Sequence, residues 1–133
     1  MNPKDKSLQI LKPHSFVESL KTALKGVIYL FLFHRNMRII FMLGVCAFLL
    51  GIYFKLEALQ MAMLCITIML VFTAEIFNTA IEMLMNMLTS EYHVRIKLVK
   101  DIAAAVVILA CLNALAVGYI LFYRNIIHLT KGL

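Results

Sequence analysis

Two glutamates and two asparagines stand inside an otherwise apolar run, "TAEIFNTAIEMLMN", residues 73–86. On a helix with about 100° per residue, these polar side chains fall within about 80° of one another and share one face. We name them the polar column: Glu75, Asn78, Glu82 and Asn86. Thr79 borders this column. A charged side chain at the centre of a membrane helix costs at least ~2.5 kcal/mol, so the column needs a compensating partner or ligand.

Three interpretations of the polar column are open. Two carboxylates two turns apart, with an amide between them, can hold Mg²⁺ through oxygen ligands and leave positions for phosphate oxygens. In such a site a partly desolvated carboxylate can also act as a general base. The structural alternative is a polar seam, hydrogen-bonded across a helix–helix interface. The third interpretation is a proton or cation pathway, because intramembrane acids also mark such pathways.

The segment that follows the column favours the metal and phosphate interpretation. It reads "SEYHVRIKLVKD", residues 90–101, and places Tyr92, His93 and three cations beside the acids. Phosphate binds cations and amide donors, a divalent metal binds carboxylates, and an adenine ring stacks on aromatic side chains. One helical hairpin meets all three requirements. Transport does not need this cationic segment, although retention of positive charge in the cytoplasm also explains it.

The composition is that of an all-α integral membrane protein. Of 133 residues, 63% are hydrophobic and 15% are charged, whereas soluble domains have roughly 45–50% and 25%. Membrane-spanning helices of about 20 residues are predicted around three charge-free stretches: residues 39–54, 58–74 and 102–123. The second helix is expected to run from Ala58 through the polar column to Leu88.

The connections and ends of these spans are also predicted. Thr89–His93 is expected to be the turn between the second and third spans, and the third helix to begin around Arg95–Lys100 and end at Phe122. Gly44 and Gly51 lie seven residues apart in the first span, which is a weak signal of close helix approach. Asn113 in the third span is expected to bond across the bundle.

A basic amphipathic helix is predicted before the first span. Ser15 is expected to cap it, with Glu18 completing a capping box. Apolar residues recur at helical spacing as far as Phe31, with Glu18 and two lysines on the other side, so the helix is expected to lie along the cytoplasmic membrane interface. The predicted domains are a flexible tail at 1–14, a membrane domain at 15–124 and a C-terminal tail at 125–133.

The net charge of +6 follows membrane topology. Lys and Arg are concentrated before the first span and between the second and third, whereas only Lys55 lies between the first two. The positive-inside rule therefore predicts a cytoplasmic N-terminus. No basic patch interleaved with aromatic residues indicates nucleic-acid binding, and no cleavable signal peptide is expected. The three cysteines lie in apolar spans and are interpreted as small hydrophobic residues.

These motifs resemble those of the small prokaryotic diacylglycerol kinase family, which includes the undecaprenol kinases of Gram-positive bacteria. The family pattern reads approximately E-[IL]-x-N-[ST]-A-I-E-x-x-x-D, then S-x-Y-H, then A-K-D. The chain has "EIFNTAIEMLMN", "SEYH" and "VKD" at the same spacings. Its "SFVESLKTALKGVIYLFLFHRNMRI" is similar to the family's interfacial helix and the run that follows it. The resemblance covers about residues 15–123.

The resemblance implies a homotrimer of three-helix protomers in the bacterial cytoplasmic membrane. Its active sites would be shared between neighbouring chains and would phosphorylate a membrane lipid alcohol with MgATP. Glu75 would take the proton from the lipid hydroxyl, Glu82 would bind Mg²⁺, and Asn78 would orient phosphate or hydroxyl. Lys100 would neutralise charge on the transferred phosphoryl group, as phosphoryl transfer requires. Four further residues would surround the nucleotide: Asn86, Tyr92, His93 and Asp101.

Two positions depart from the family pattern. His34 stands where the family has a metal-binding Glu, and Asn86 stands where it has Asp. The loss of two negative charges should weaken Mg²⁺ binding, and imidazole is a poor ligand for so hard an ion. His34 would instead favour Mn²⁺ or Zn²⁺, or contact phosphate as an imidazolium.

The predicted function is transfer of the ATP γ-phosphate to diacylglycerol, giving phosphatidic acid, or to undecaprenol. The "NMRI" run, residues 36–39, is closer to the undecaprenol-using side of the family. The alternative is a catalytically impaired member that binds lipid or assembles with other membrane proteins. A small cation or proton channel is the third hypothesis.

Overall fold

A computed structural model describes residues 15–88 and 93–131. In these ranges the chain forms four helices and no strand: α1 Phe16–Phe33, α2 Arg35–Tyr53, α3 Ala58–Leu88 and α4 Val94–Lys131. The chain divides into two units, Met1–His34 and Arg35–Leu133. The first unit contains α1 and the second contains α2, α3 and α4. The predicted flexible tail, residues 1–14, lies outside the described residues.

The N-terminal unit confirms the predicted capping box. The Glu18 amide donates to Ser15 Oγ at 3.3 Å, and the Ser15 amide donates to Glu18 Oε2 at 3.1 Å. Two of the N–H groups that a helix start leaves without partners are thereby satisfied. None of the residues of α1 is buried. The position of α1 at the membrane interface remains a prediction.

Small residues allow α2 to approach α3 closely. A Cβ atom added at Gly44 would lie 3.0 Å from Ile68 Cγ2, and one added at Gly51 would lie 3.0 Å from Met61 Cε. Both distances are below ordinary van der Waals contact. Both glycines therefore face α3, which confirms the close approach predicted from their spacing.

Gly44→Ala is expected to destabilise the helical bundle by about 1–3 kcal/mol, because the added methyl group overpacks the α2–α3 interface. Ile68 is β-branched and has little rotamer freedom in a helix, so it cannot move aside easily. Thermal unfolding in detergent measures the effect. Gly118→Ala is the matched control, because a Cβ at Gly118 meets nothing within 4 Å. An equal loss in both variants would contradict the packing explanation.

The interior of the bundle lies between α3 and α4. Val71 and Ala74 of α3 pack with Ala110 of α4, and Ile40 of α2 lies against this cluster. On α4 the contacting residues recur at helical spacing: Val107, Cys111 and Ala114. The small side chains at this contact let the backbones of α3 and α4 approach closely. This packing fixes the orientation of α3, the helix that carries the polar column.

The α2–α3 connection is a Schellman turn with an unusual residue. Leu56 donates its amide to the Gly51 carbonyl and Lys55 donates to the Ile52 carbonyl, both at 3.0 Å. This pattern places Lys55 at the position normally taken by glycine, and its φ is 52°. The Glu57 amide then donates to Gln60 Oε1 at 3.1 Å, which caps the start of α3.

Lys55→Gly is expected to stabilise the protein by about 1 kcal/mol, because glycine adopts the left-handed conformation without the steric cost of a Cβ atom. Thermal unfolding measures the change. Lys55→Ala is the control, since it removes the ammonium group but keeps the Cβ atom. If alanine stabilised the protein as much as glycine, the cause would be the charge and not the backbone conformation.

The observed helix bounds confirm most of the predictions. Helix α3 begins at Ala58 and ends at Leu88, as expected. Within the described ranges, three helices are long and apolar enough to cross a membrane: Arg35–Tyr53, Ala58–Leu88 and Val94–Tyr123. The predicted end of the third helix at Phe122 is wrong, because α4 continues to Lys131. The apolar stretch ends just after Phe122, but no glycine or proline follows before Gly132. The helix therefore continues beyond the end of the apolar stretch.

Candidate functional site

The polar column passes from a buried zone into an exposed one along α3. Glu75 is 4% exposed, Asn78 is 8% exposed and the bordering Thr79 is 2% exposed. Glu82 and Asn86, one and two turns further on, are exposed. A seam sealed between helices of one chain would bury the whole column. Instead, its first half lies in the packed interior and its second half is accessible.

Asn78 carries an unused acceptor in the buried zone. Its Oδ1 atom is buried and finds no hydrogen-bond partner among the described residues. An unsatisfied buried acceptor costs about 1–3 kcal/mol. Thr67 and Thr73 differ, because their hydroxyls donate to the carbonyls of Met63 and Met69 at 2.8 and 2.9 Å. The Asn78 oxygen is therefore available to a donor or a cation that the described residues do not supply.

The exposed zone contains a contact between α3 and α4. Lys100 Nζ donates to Asn86 Oδ1 at 2.6 Å. Lys100 is half-buried, and fourteen residues separate the pair in sequence. The contact brings together two residues that the sequence assigned to phosphate and nucleotide binding. Sequence spacing alone did not identify the pair, because the register of the two helices depends on the connection between them.

His93 has a structural role that the sequence did not reveal. Its Nδ1 accepts from the Arg95 amide at 3.3 Å, and its carbonyl accepts from the amides of Ile96 and Lys97, each at 3.0 Å. His93 therefore caps the N-terminus of α4. Ser, Thr, Asp and Asn are the usual capping residues, so a histidine gave no signal of this role. Its predicted contact with nucleotide stays a prediction.

Three further residues were predicted to belong to the site: Asp101, Tyr92 and His34. Asp101 is exposed on α4. Tyr92 lies outside the described residues. His34 belongs to the N-terminal unit, where its amide donates to the Leu30 carbonyl at 2.9 Å and ends α1. The His34 ring lies beside the Tyr29 ring with centroids 6.0 Å apart. Its predicted metal binding stays a prediction.

The donors of the polar column suit a hard divalent cation. The described part of the chain contains no group of three His, Cys, Asp or Glu side chains that could hold a metal. Mg²⁺ does not need such a group, because it keeps several waters and binds one or two carboxylates together with phosphate oxygens. The Glu82 carboxylate and the unpaired Asn78 Oδ1 are oxygen donors of this kind. They fit Mg²⁺ better than Zn²⁺, which prefers nitrogen and sulfur ligands.

Comparison with known proteins gives one consistent answer. The sequence profile of the family described as prokaryotic diacylglycerol kinase matches residues 21–122. A diacylglycerol kinase of Synechocystis sp. is 38% identical over 101 residues, which cover 75% of this chain. The matched part is 58% of the length of that relative. With three helices able to cross a membrane, the chain is a multi-pass membrane protein and belongs to the prokaryotic diacylglycerol kinase family.

Proposed function

We propose that the protein is a lipid kinase that transfers the γ-phosphoryl group of ATP to a membrane lipid alcohol, either diacylglycerol or undecaprenol. One observation carries the proposal: the acids and amides of the column extend from the interior to an exposed zone where Lys100 joins them. An enzyme that transfers phosphate from a water-soluble nucleotide to a lipid hydroxyl needs accessible groups for the nucleotide next to buried groups for the lipid. Family membership supports the kinase class.

In the proposed reaction Glu75 accepts the proton of the lipid hydroxyl as its oxygen attacks the γ-phosphorus. A P–O bond forms to the lipid, the bond to the ADP oxygen breaks, and ADP leaves with the electron pair. Asn78, about one turn along the helix, orients the phosphate or the hydroxyl. The burial of Glu75 limits access of water, which would otherwise compete as the acceptor.

The exposed part of the site binds the negatively charged phosphates of the nucleotide. Mg²⁺, when bound, neutralises charge on the phosphate oxygens. Glu82 would hold it, with His34 as a further ligand if the metal is Mn²⁺ or Zn²⁺. The Lys100 ammonium binds the phosphoryl group from α4. Three residues would contact the base or ribose of ATP: Tyr92, His93 and Asp101.

The proposed assembly is a homotrimer in the bacterial cytoplasmic membrane, with the N-terminus in the cytoplasm. Asn113 supports an assembly, because it is exposed on α4 inside a membrane-spanning segment. The predicted bond across the bundle does not form with any described residue of the same chain. An amide exposed to lipid is costly, and a neighbouring chain can supply its partner. The proposed partners are ATP, the lipid substrate and the bilayer, without nucleic acid.

A catalytically impaired lipid-binding protein is the second candidate. The observation in its favour is the small number of acids: the described residues hold no cluster of three metal-binding side chains. Two positions that are acidic in the family pattern are His34 and Asn86 in this chain. Both replacements reduce the negative charge available to Mg²⁺.

A labelling experiment tests the proposal. The purified protein is incubated in detergent with γ-labelled ATP, Mg²⁺ or Mn²⁺, and either diacylglycerol or undecaprenol. Label in one of the lipids is the expected result and identifies the substrate. If neither lipid is labelled while ATP still binds, His34→Glu restores the missing acid, and a gain of activity would identify an impaired kinase. Absence of ATP binding, together with ion current across a bilayer, would favour a channel.

A further inference from the structure

The contact between Lys100 and Asn86 joins a cation to a neutral group. Lys100 Nζ lies 2.6 Å from Asn86 Oδ1, and an amide oxygen carries no formal charge. Within residues 15–88 and 93–131 no carboxylate forms an ion pair with Lys100. The lysine is therefore held by a neutral group, and none of the described carboxylates pairs with it.

We propose that Asn86 is a positioning residue that orients Lys100 for an anionic phosphate group without cancelling its charge. This inference rests on the proposed kinase function and assigns a specific role at that site. Asn86 acts through Lys100 and is not itself a ligand of the metal.

The chemistry of the two side chains supports this role. A lysine has four rotatable bonds and carries about 2 kcal/mol of rotamer entropy, so a free Lys100 would sample many positions. The bond to Asn86 removes much of that freedom and occupies one of the three N–H donors of the ammonium group. Two N–H donors remain for phosphate oxygens.

A carboxylate at the same position would also hold Lys100, but it would repel an anion. It would form a charge-assisted bond, which is stronger than the neutral bond. It would also place a negative charge within a few ångströms of the phosphate and offset the attraction of the ammonium. Replacement of Asn86 by Asp is therefore expected to hold Lys100 more strongly and to lower the affinity for phosphate.

The test compares wild type with Asn86→Asp and Asn86→Leu, using ATP in EDTA as the probe so that no metal contributes. Binding is measured by calorimetry, and thermal unfolding is measured without nucleotide. Asn86→Asp is expected to weaken ATP binding about tenfold, because the added charge repels the phosphates, while its melting temperature stays equal to or above that of wild type. Asn86→Leu removes the anchor and is expected to lower both ATP affinity and melting temperature.

A second background shows whether Asn86 acts through Lys100. In Lys100→Met the Asn86→Leu change is expected to lose most of its effect on ATP affinity, because the lysine that Asn86 holds is gone. An undiminished effect of Asn86→Leu in that background would overturn the positioning role in favour of direct contact with nucleotide. Unchanged or tighter ATP binding by Asn86→Asp in the Lys100 background would also overturn it. If wild type bound ATP neither in EDTA nor with Mg²⁺, the proposed kinase function would fail, and this inference with it. Binding with Mg²⁺ but not in EDTA would overturn this inference alone.

Discussion

Glu75→Gln is expected to lower the rate of lipid phosphorylation by about 10²–10⁴-fold, the range that a positioned general base contributes. Glutamine has nearly the same shape as glutamate but cannot accept the proton of the lipid hydroxyl. Because Glu75 is only 4% exposed, water has little access to replace the lost base. Initial rates with γ-labelled ATP measure the effect, and ATP binding by the same variant is expected to stay close to that of wild type.

Glu57→Gln is the matched control for this change. It makes the same chemical replacement at the opposite end of α3, where Glu57 is exposed and precedes the helix. The control is expected to keep wild-type activity. Full activity in Glu75→Gln would make Glu75 a structural residue of the helix interface. Loss of ATP binding together with activity would indicate misfolding, which thermal unfolding detects independently.

Glu82→Gln is expected to lower activity roughly 10- to 100-fold at limiting Mg²⁺, the loss typical when a group that supports a metal site is removed. Glu82 is exposed and lies two turns beyond Glu75, so its carboxylate can reach a metal carried by the nucleotide. Titration of activity with Mg²⁺ at fixed ATP measures the effect. The required Mg²⁺ concentration is expected to rise, with partial recovery of activity when the metal is raised.

The two glutamate variants are expected to respond differently to added metal. Excess Mg²⁺ compensates for a weakened metal site but does not replace a general base, so Glu75→Gln is expected to stay inactive at every metal concentration. If Glu82→Gln had the wild-type Mg²⁺ requirement, Glu82 would not be a metal ligand. If excess Mg²⁺ restored activity in Glu75→Gln, the roles assigned to the two residues would have to be exchanged.

Much of α3 was predictable because helical periodicity and composition act locally. The shared face of Glu75, Asn78 and Glu82 follows from their spacing alone, and Ala58 and Leu88 bound a run with no helix-breaking residue. The capping box at Ser15 is likewise a local pattern of two side chains. For these features, the tertiary contacts agree with what the local sequence favours.

Other features depend on the register between helices, which spacing along one helix does not determine. The contact of Lys100 with Asn86 requires α3 and α4 to meet at a particular height. The change from buried Glu75 to exposed Glu82 depends on where packing against neighbouring helices ends. The sequence of one helix does not show that position. The left-handed Lys55 and the capping role of His93 were missed because both positions hold residue types that are unusual there.

The length of α4 has a further consequence for the membrane setting. Its charge-free stretch, Ile102–Tyr123, measures about 33 Å at 1.5 Å per residue, close to the ~30 Å hydrocarbon thickness. Lys100 lies only two residues before this stretch, so its depth is coupled to the fit between helix and bilayer. Hydrophobic mismatch in a thinner or thicker bilayer is relieved by tilt or by lipid deformation. In the proposed kinase, the acyl-chain length of the surrounding lipid would thus change the height of the Lys100 ammonium relative to the lipid hydroxyl.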